Sequence, residues 1–567
     1  MNTKQIHVLI LFFFLCLSIF LTLGKMGTAF DSFALLNQDL GVYASLAAAQ
    51  EQPELFVRDA FLSDEKNINS YNMIFVPLIK QLEDLFGNYG TACAFLVPFL
   101  IFLHLSGYYW LGVTIFKNPW AGLVVSLLLS APTNTSLDFW GLLLDALPRF
   151  MYQALIPFVL VLSIRYGQNP KWWPVILGGV GLLNYVHPLS TPAWAIAITV
   201  GLWVSVPHLR FQEKAGRMLI AVLALLLILY PFIGNYVSST ILETSQVISY
   251  ERTMSILQSH MSTMGSISTL AVFFAGRPGF RFDFLWYFIW LLGISGLVWG
   301  LLRSRNADRN VPLYQLAAWM AGILLVSGLL PIVEGIVFSY LKRIPPEFEL
   351  IRTLRYSVPL ILLAAVFTLQ MAADQLGQKG SLSSVKASSV FLGSVTLLLL
   401  VWGVSSQGKG SEFYAVSRQN LKCWLDGNLV CDIDPASMDF IAVMDAIREE
   451  TPAGARIFSE GQEVAVRYYG LRPLVFTYKD GAPLAYTNQE QLLLWKRTYD
   501  EMDHIAFLRK FPFRHRAFVK EITELAQGLE SDYLLLHEPY QKDEAYPPQL
   551  SIVYTNDHYA LFKIAQP

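Results

Sequence analysis

Eleven apolar stretches fill residues 7–404 of this chain, and a polar segment of ordinary globular composition follows them to Pro567. A helix that crosses a bilayer needs roughly 20 mostly apolar residues, because each backbone N–H and C=O must find its partner inside the segment. The stretches therefore predict an α-helical polytopic membrane protein with about 11 transmembrane helices. A small α/β soluble domain is predicted after the last of them.

The predicted spans differ in length, and several are short for a full crossing. They lie at residues 6–23, 92–116, 120–132, 150–164, 173–185, 192–206, 218–236, 285–302, 313–331, 357–371 and 390–404. The first is longer than the apolar region of a typical signal peptide, and the Gly24-Lys25-Met26-Gly27 segment that follows is a poor cleavage site. We therefore interpret it as an uncleaved helix.

Composition and charge agree with a membrane protein. The chain is 54% hydrophobic and 15% charged, and its net charge of −2 argues against a nucleic-acid partner. If the N-terminus is cytoplasmic, the short loops on that side carry Lys and Arg with few acids, whereas the opposite loops are mixed or acidic. The positive-inside rule then predicts that the C-terminal domain lies on the extracytoplasmic face.

The sequence predicts three segments. They are a transmembrane domain at 1–404 with a large exported loop at 26–90, a linker at 405–434, and an exported α/β domain at 435–567. In the last, 437–450 has helical periodicity, 456–458, 474–476 and 533–536 read as strands, and Asn556-Asp557 predicts a hairpin turn. Cys423 and Cys431 flank a turn signal in the exported stretch, and both a disulfide and two free thiols remain open.

Acidic residues in the first exported loop are candidates for catalysis. Asp39 and Asp59 lie there, and the residues between them place Leu40, Tyr43, Leu46 and Ala47 on one face of a helix. Such a helix is expected to lie along the membrane interface. A carboxylate here could act as general base for an acceptor hydroxyl or bind a divalent cation. The alternative is that these loop acids are simply solvated.

Cations on the same side are candidates for binding an anion. Arg149 follows Pro148 at the start of a span, and Arg352 and Arg355 lie at the outer end of another, where the positive-inside rule disfavours them. Each could hold a phosphate bidentately, or snorkel to the headgroups or pair with a nearby acid. His187 precedes a proline at the same edge, where a packing role is the alternative to a place in the site.

This arrangement resembles the C-type (GT-C) glycosyltransferase superfamily. The resemblance covers nearly the whole chain, through topology more than motifs: a first span, a long acidic exported loop, many further spans and an exported α/β domain. It resembles uncharacterised bacterial members in Asp39, Tyr43 and the Leu55–Asp59 segment, in Pro148-Arg149 and His187-Pro188, and in the stretch 467–481. The chain lacks the Asp-Glu pair of mannosyltransferases and the WWD-type motif of oligosaccharyltransferases, so protein N-glycosylation is not expected.

The resemblance implies transfer of a sugar from a polyprenyl-phosphate donor to a lipid, glycan or protein acceptor at the outer face of a bacterial cytoplasmic membrane, among membrane lipids. Asp39 is the expected base, with Asp59 as alternate. Tyr43 and His187 would contact substrate, and Arg149, Arg352 and Arg355 would hold the phosphate. Involvement of a divalent cation stays open. Alternatives are a transporter or flippase, or an assembly protein whose enzyme residues have decayed.

Overall fold

Helices make up most of the chain in the computed structural model. The structure describes residues 2–25, 36, 38–70, 73–131, 133–134, 139–143, 145–236, 248–260, 283–303, 311–344, 350–378, 422, 425, 435–511, 514–537 and 546–565. The predicted span at 390–404 and the predicted cysteine pair, Cys423 and Cys431, lie outside these residues.

Ten of the eleven apolar stretches form helices in the described part of the chain. Their helices are α1 (Thr3–Lys25), α5 (Tyr89–Phe116), α6 (Pro119–Ser130), α7 (Pro148–Tyr166), α8 (Trp173–Leu183), α9 (Thr191–Val204), α10 (Phe211–Tyr236), α12 (Asp283–Arg303), α13 (Val311–Ile323), α14 (Leu330–Leu341) and α15 (Ser357–Gln378). Five continuous helices within this set are long and apolar enough to cross a membrane, which indicates a membrane protein. The count of eleven spans stays a prediction.

The other described helices are shorter and more polar. They are α2 (Gln38–Glu51), α3 (Glu65–Ser70), α4 (Phe75–Phe86), α11 (Tyr250–His260), α16 (Pro435–Glu450), α17 (Ala465–Tyr468), α18 (Gly481–Thr487), α19 (Gln489–Arg509) and α20 (His515–Gly528). By its contacts the chain divides into two compact units, residues 1–21, 97–231 and 262–415, and residues 22–96, 232–261 and 416–567.

Close helix packing builds the first unit. Helices α9 and α13 approach so tightly that a Cβ added at Gly322 would lie 2.4 Å from the Cα of Ala197. Gln315, also on α13, is fully buried, and its Nε2 donates to the Ser163 carbonyl at 3.0 Å and the Ser205 hydroxyl at 2.6 Å. The nitrogen of this amide is therefore satisfied inside an apolar core.

A π-helix at Leu324–Leu329 joins α13 to α14 within one continuous apolar helix. It contains Ser327, whose hydroxyl hydrogen-bonds that of Thr353. Thr353 belongs to a 3-10 helix, Leu350–Tyr356, that leads directly into α15. The π-helix therefore contacts the segment that contains Arg352 and Arg355, two of the predicted site residues.

The second unit has α2 at its centre. Leu40, Ala44 and Leu46 are buried, and the small Ala-rich sequence lets α2 pack against α4 and α17. A Cβ added at Gly41 would lie 3.1 Å from the Tyr468 ring of α17. The predicted helix is present, but its environment differs from the expectation, because its apolar side chains are covered by protein and not presented to a membrane interface.

A four-stranded sheet completes this unit. It has the order β1 (Ile457–Ser459), β2 (Tyr533–His537), β4 (Tyr559–Ile564), β3 (Leu550–Thr555), with β1 and β2 parallel and the other pairs antiparallel. The predicted helix and hairpin are confirmed, and the Asn556 side chain closes the turn by accepting from the backbone N–H of His558 and Tyr559. The predicted strand at 474–476 is reduced to one bridge, between Ile457 and Leu474.

A buried arginine joins the first loop to the C-terminal segment. Both carboxylate oxygens of Asp59 accept hydrogen bonds from Arg467, at 2.9 and 3.0 Å, and Asp480 accepts two more, at 2.8 and 3.0 Å. Asp59 also accepts from the backbone N–H of Leu474. Residues 26–90, which the sequence analysis placed with the membrane domain, thus pack through their described part with residues 435–567 in one unit.

The Arg467 network predicts a large loss of stability when its cation is removed. In Arg467→Met, the Asp59 and Asp480 carboxylates would stay buried without their counter-charge, at a cost of about 3–5 kcal/mol. The control is Arg497→Met, which removes an exposed ion pair with Glu501 and should cost at most about 1 kcal/mol. Thermal unfolding of the purified full chain measures both. Similar melting temperatures for the two variants would contradict the assignment.

Candidate functional site

Three arginines approach one histidine in the first unit. Arg355, Arg149 and Arg352 all lie close enough to His187 for their charges to act on its imidazole. Arg355 is 2% exposed, and its guanidinium lies 5.8 Å from the ring centroid of Tyr356. The structure thus brings together four of the seven predicted site residues, from segments that are distant in sequence. We call Arg149, His187, Arg352 and Arg355 the arginine cluster.

The members of this cluster lie just before, or in the first two turns of, helical segments. Arg149 is the second residue of α7, His187 precedes the short 3-10 helix Pro188–Ser190 that leads into α9, and the two other arginines lie in the 3-10 helix before α15. The two 3-10 helices contact each other. Helix N-termini present unpaired N–H groups and a positive dipole end, so their charge adds to that of the guanidinium groups. This geometry suits an anion such as a phosphate.

A chain of hydrogen bonds fixes the imidazole. His187 Nδ1 lies 2.8 Å from the Ser190 hydroxyl, which in turn lies 2.5 Å from the Tyr356 hydroxyl. Ser190 and Tyr356 are fully buried, and the Tyr356 ring packs against Trp140 and Trp194 at 5.8 and 5.6 Å. The residue that follows Arg355 is therefore anchored to the segment that carries His187.

The electric field at this position is positive on balance. Burial, followed by the charges of Arg355, Arg149 and Arg352, holds the pKa of His187 well below its usual range. The imidazole is therefore neutral at pH 7, and the positive charge of the site comes from the arginines. A neutral imidazole can both donate and accept a hydrogen bond.

The three other predicted residues belong to the second unit. Asp39 lies in the first turn of α2, and its carboxylate, 43% exposed, is 2.5 Å from the Lys479 ammonium. Tyr43 packs its ring edge-to-face on Phe75 at 5.5 Å. Asp59 is 1% exposed, and both of its oxygens are occupied by the Arg467 network. Of these carboxylates, Asp39 is accessible to a substrate.

One group of three carboxylates lies close enough to share a cation within the described part of the chain. It comprises Glu51, Glu83 and Asp84 of the second unit and contains no residue predicted for the site. Burial, together with the charges of Glu51 and Asp84, raises the pKa of Glu83. Acidic clusters on a surface are common without a metal, so this group is not assigned one.

Sequence reasoning missed the residues that organise these sites. Ser190 and Tyr356 orient His187, while Lys479 and Arg467 hold Asp39 and Asp59. Each lies within three residues of a position or stretch that the sequence analysis noted. Residue type alone, however, does not distinguish a buried serine or tyrosine from many others.

Comparison with known proteins does not assign this chain to a family. A scan against protein-family models finds no match, and a search of the curated proteins finds no relative. The geometry described above therefore carries the functional argument.

The lowered pKa of His187 predicts a dependence of stability on pH. Below its ordinary value of 6.5, the unfolded chain binds a proton that the folded chain does not, so stability is lost as the pH falls below that value. His187→Asn removes the titrating group and keeps a side chain that can reach Ser190. Its melting temperature should fall less than that of the wild type between about pH 7 and about pH 5. Equal falls would contradict this account.

Proposed function

We propose that this protein is a membrane glycosyltransferase that transfers a sugar from a polyprenyl-phosphate donor to an acceptor. The observation that carries the proposal is the arginine cluster, where three guanidinium groups and three helix starts surround a neutral imidazole among apolar helices. An anionic headgroup on an apolar tail fits both features of this environment. The resemblance to the GT-C superfamily supports the same interpretation.

The cluster would act on the departing phosphate. In an inverting displacement, the acceptor oxygen bonds to the anomeric carbon while the bond from that carbon to the phosphate oxygen breaks. Negative charge then accumulates on the lipid phosphate, and Arg149, Arg352 and Arg355 would stabilise it in place. Guanidinium groups suit this role because their planar forks bind two phosphate oxygens at once.

Asp39 is the proposed base that takes the proton from the acceptor hydroxyl. Its carboxylate is partly exposed, and the pair with Lys479 is the kind of exposed ion pair that contributes little to stability. We do not propose Asp59 as the alternate base, because its oxygens already accept five hydrogen bonds. The protein would carry eleven spans, with a cytoplasmic N-terminus and the sheet-containing unit on the outer face.

A carrier or flippase for lipid-linked glycans is the second candidate. The engagement of Asp39 by Lys479 favours it, since a protein that only binds a lipid phosphate needs no free base. Both candidates require the arginine cluster to bind the phosphate. They differ in whether the bond between sugar and phosphate breaks.

Phosphate binding by the cluster can be tested with farnesyl phosphate, a short analogue of the donor lipid. Arg355→Gln should weaken its binding to the purified protein by about 1.5–3 kcal/mol, the scale of a charge-assisted hydrogen bond. Arg355→Lys should restore it only in part, since lysine lacks the planar fork. The control is Arg165→Gln, an exposed arginine at the other end of α7. Unchanged affinity in both Arg355 variants would remove the cluster from the proposed site.

Catalysis can be separated from carriage by following the release of polyprenyl phosphate from a panel of polyprenyl-phosphate sugars. The wild type should release it, and Asp39→Asn should abolish the release while leaving the melting temperature nearly unchanged. Asp500→Asn, which breaks an exposed pair with Lys496, is the matched control and should keep full activity. Donor binding without release in the wild type would favour the carrier.

A further inference from the structure

Many buried polar side chains in the described part of the first unit have an atom without a hydrogen-bond partner. Three of these groups are the hydroxyl of Tyr108, the side-chain amide of Gln153, at both its oxygen and its nitrogen, and the indole N–H of Trp194. Each of these side chains is at most 1% exposed. Polar groups withdrawn from water in this way weaken a fold, and native proteins seldom keep several of them in one unit without a purpose.

All three are linked to the arginine cluster through neighbouring residues. Gln153 lies one helical turn after Arg149 on α7, so these two residues share a helix face. Trp194 lies on α9, four residues after Ser190 of the preceding 3-10 helix. Tyr108 packs on Trp140 at 6.1 Å. The rings of Trp140 and Trp194 both pack against Tyr356.

We propose that Tyr108, Gln153 and Trp194 form the subsite for an uncharged sugar ring, next to the arginines that hold its phosphate. This proposal rests on the proposed function and names the class of sugar. An amide and a phenol each donate and accept, and an indole donates, which matches the hydroxyl groups of a hexose. Ligand sites combine an aromatic lining with a few convergent polar groups in this way.

The chemistry of the three groups also selects against positively charged sugars. None of them is ionised at neutral pH, so none could balance the ammonium of an amino sugar, and the nearby arginines would repel it. A positive charge placed among them would be desolvated without a counter-charge, and this is unfavourable. The subsite should therefore favour a neutral hexose over an amino sugar.

Stability gives a test that needs no substrate. Gln153→Met replaces the unpartnered amide by an apolar side chain of similar length, so the melting temperature of the full chain should stay the same or rise. The matched control is Gln315→Met, because Gln315 is equally buried but donates two hydrogen bonds. Its melting temperature should fall. A fall in Gln153→Met as large as that in the control would show a structural amide and overturn the proposal.

Binding gives the second test, with farnesyl phosphate and farnesyl phosphoryl glucose as probes. The wild type should bind the glucose-bearing probe at least about tenfold more tightly, the scale of one or two hydrogen bonds. Gln153→Met should lose this advantage and keep its affinity for farnesyl phosphate. A farnesyl phosphoryl amino sugar should bind the wild type no better than farnesyl phosphate does.

The two probes separate this proposal from the proposed function. If farnesyl phosphate binds and glucose adds no affinity, the sugar subsite is wrong and the phosphate site stands. If neither probe binds the wild type, both proposals fail. If Gln153→Met weakens both probes equally, the glutamine supports the arginine cluster and does not contact a sugar, which also overturns the subsite.

Discussion

Burying a guanidinium group among apolar helices is the constraint on which the candidate site depends. Such a charge loses most of its hydration, and the surroundings must offset that loss. In the cluster around His187 the surroundings add positive potential, since three arginines and three helix starts act on the same place. Burial first, and then that field, lowers the pKa of the imidazole. A phosphate at this place would be stabilised by that field.

Arg467 is also a buried guanidinium group, but its charge is balanced by carboxylates of the protein. It is 1% exposed, and it donates four hydrogen bonds to the carboxylates of Asp59 and Asp480, which raise its pKa although burial alone would lower it. Here the charge is compensated within the protein, so the network joins two chain segments and leaves nothing for a ligand. The Arg467 environment is therefore assigned to structure.

The sequence predicted the local features well, because apolar periodicity, turn residues and charge placement are local signals. The apolar helices, the helix at 435–450 and the hairpin at Asn556 follow directly from them. Arg352 and Arg355 became candidates because cations are unexpected at that end of a span. Contacts between residues some 400 positions apart have no such signal, and Asp59 with Arg467 is one example. The buried environment of α2 could not be predicted for this reason.

The position of Asp39 depends on such distant contacts. Its partner Lys479 lies in a 3-10 turn whose capping box, formed by Thr477 and Asp480, fixes the backbone. Asp480 is also a ligand of Arg467, so the turn that presents Lys479 is held by the same buried network. On the other side, the Tyr468 hydroxyl accepts from the backbone N–H of Leu36, just before α2. The C-terminal segment therefore determines where the proposed base stands, and a change at Arg467 should reach Asp39 through the turn at Lys479.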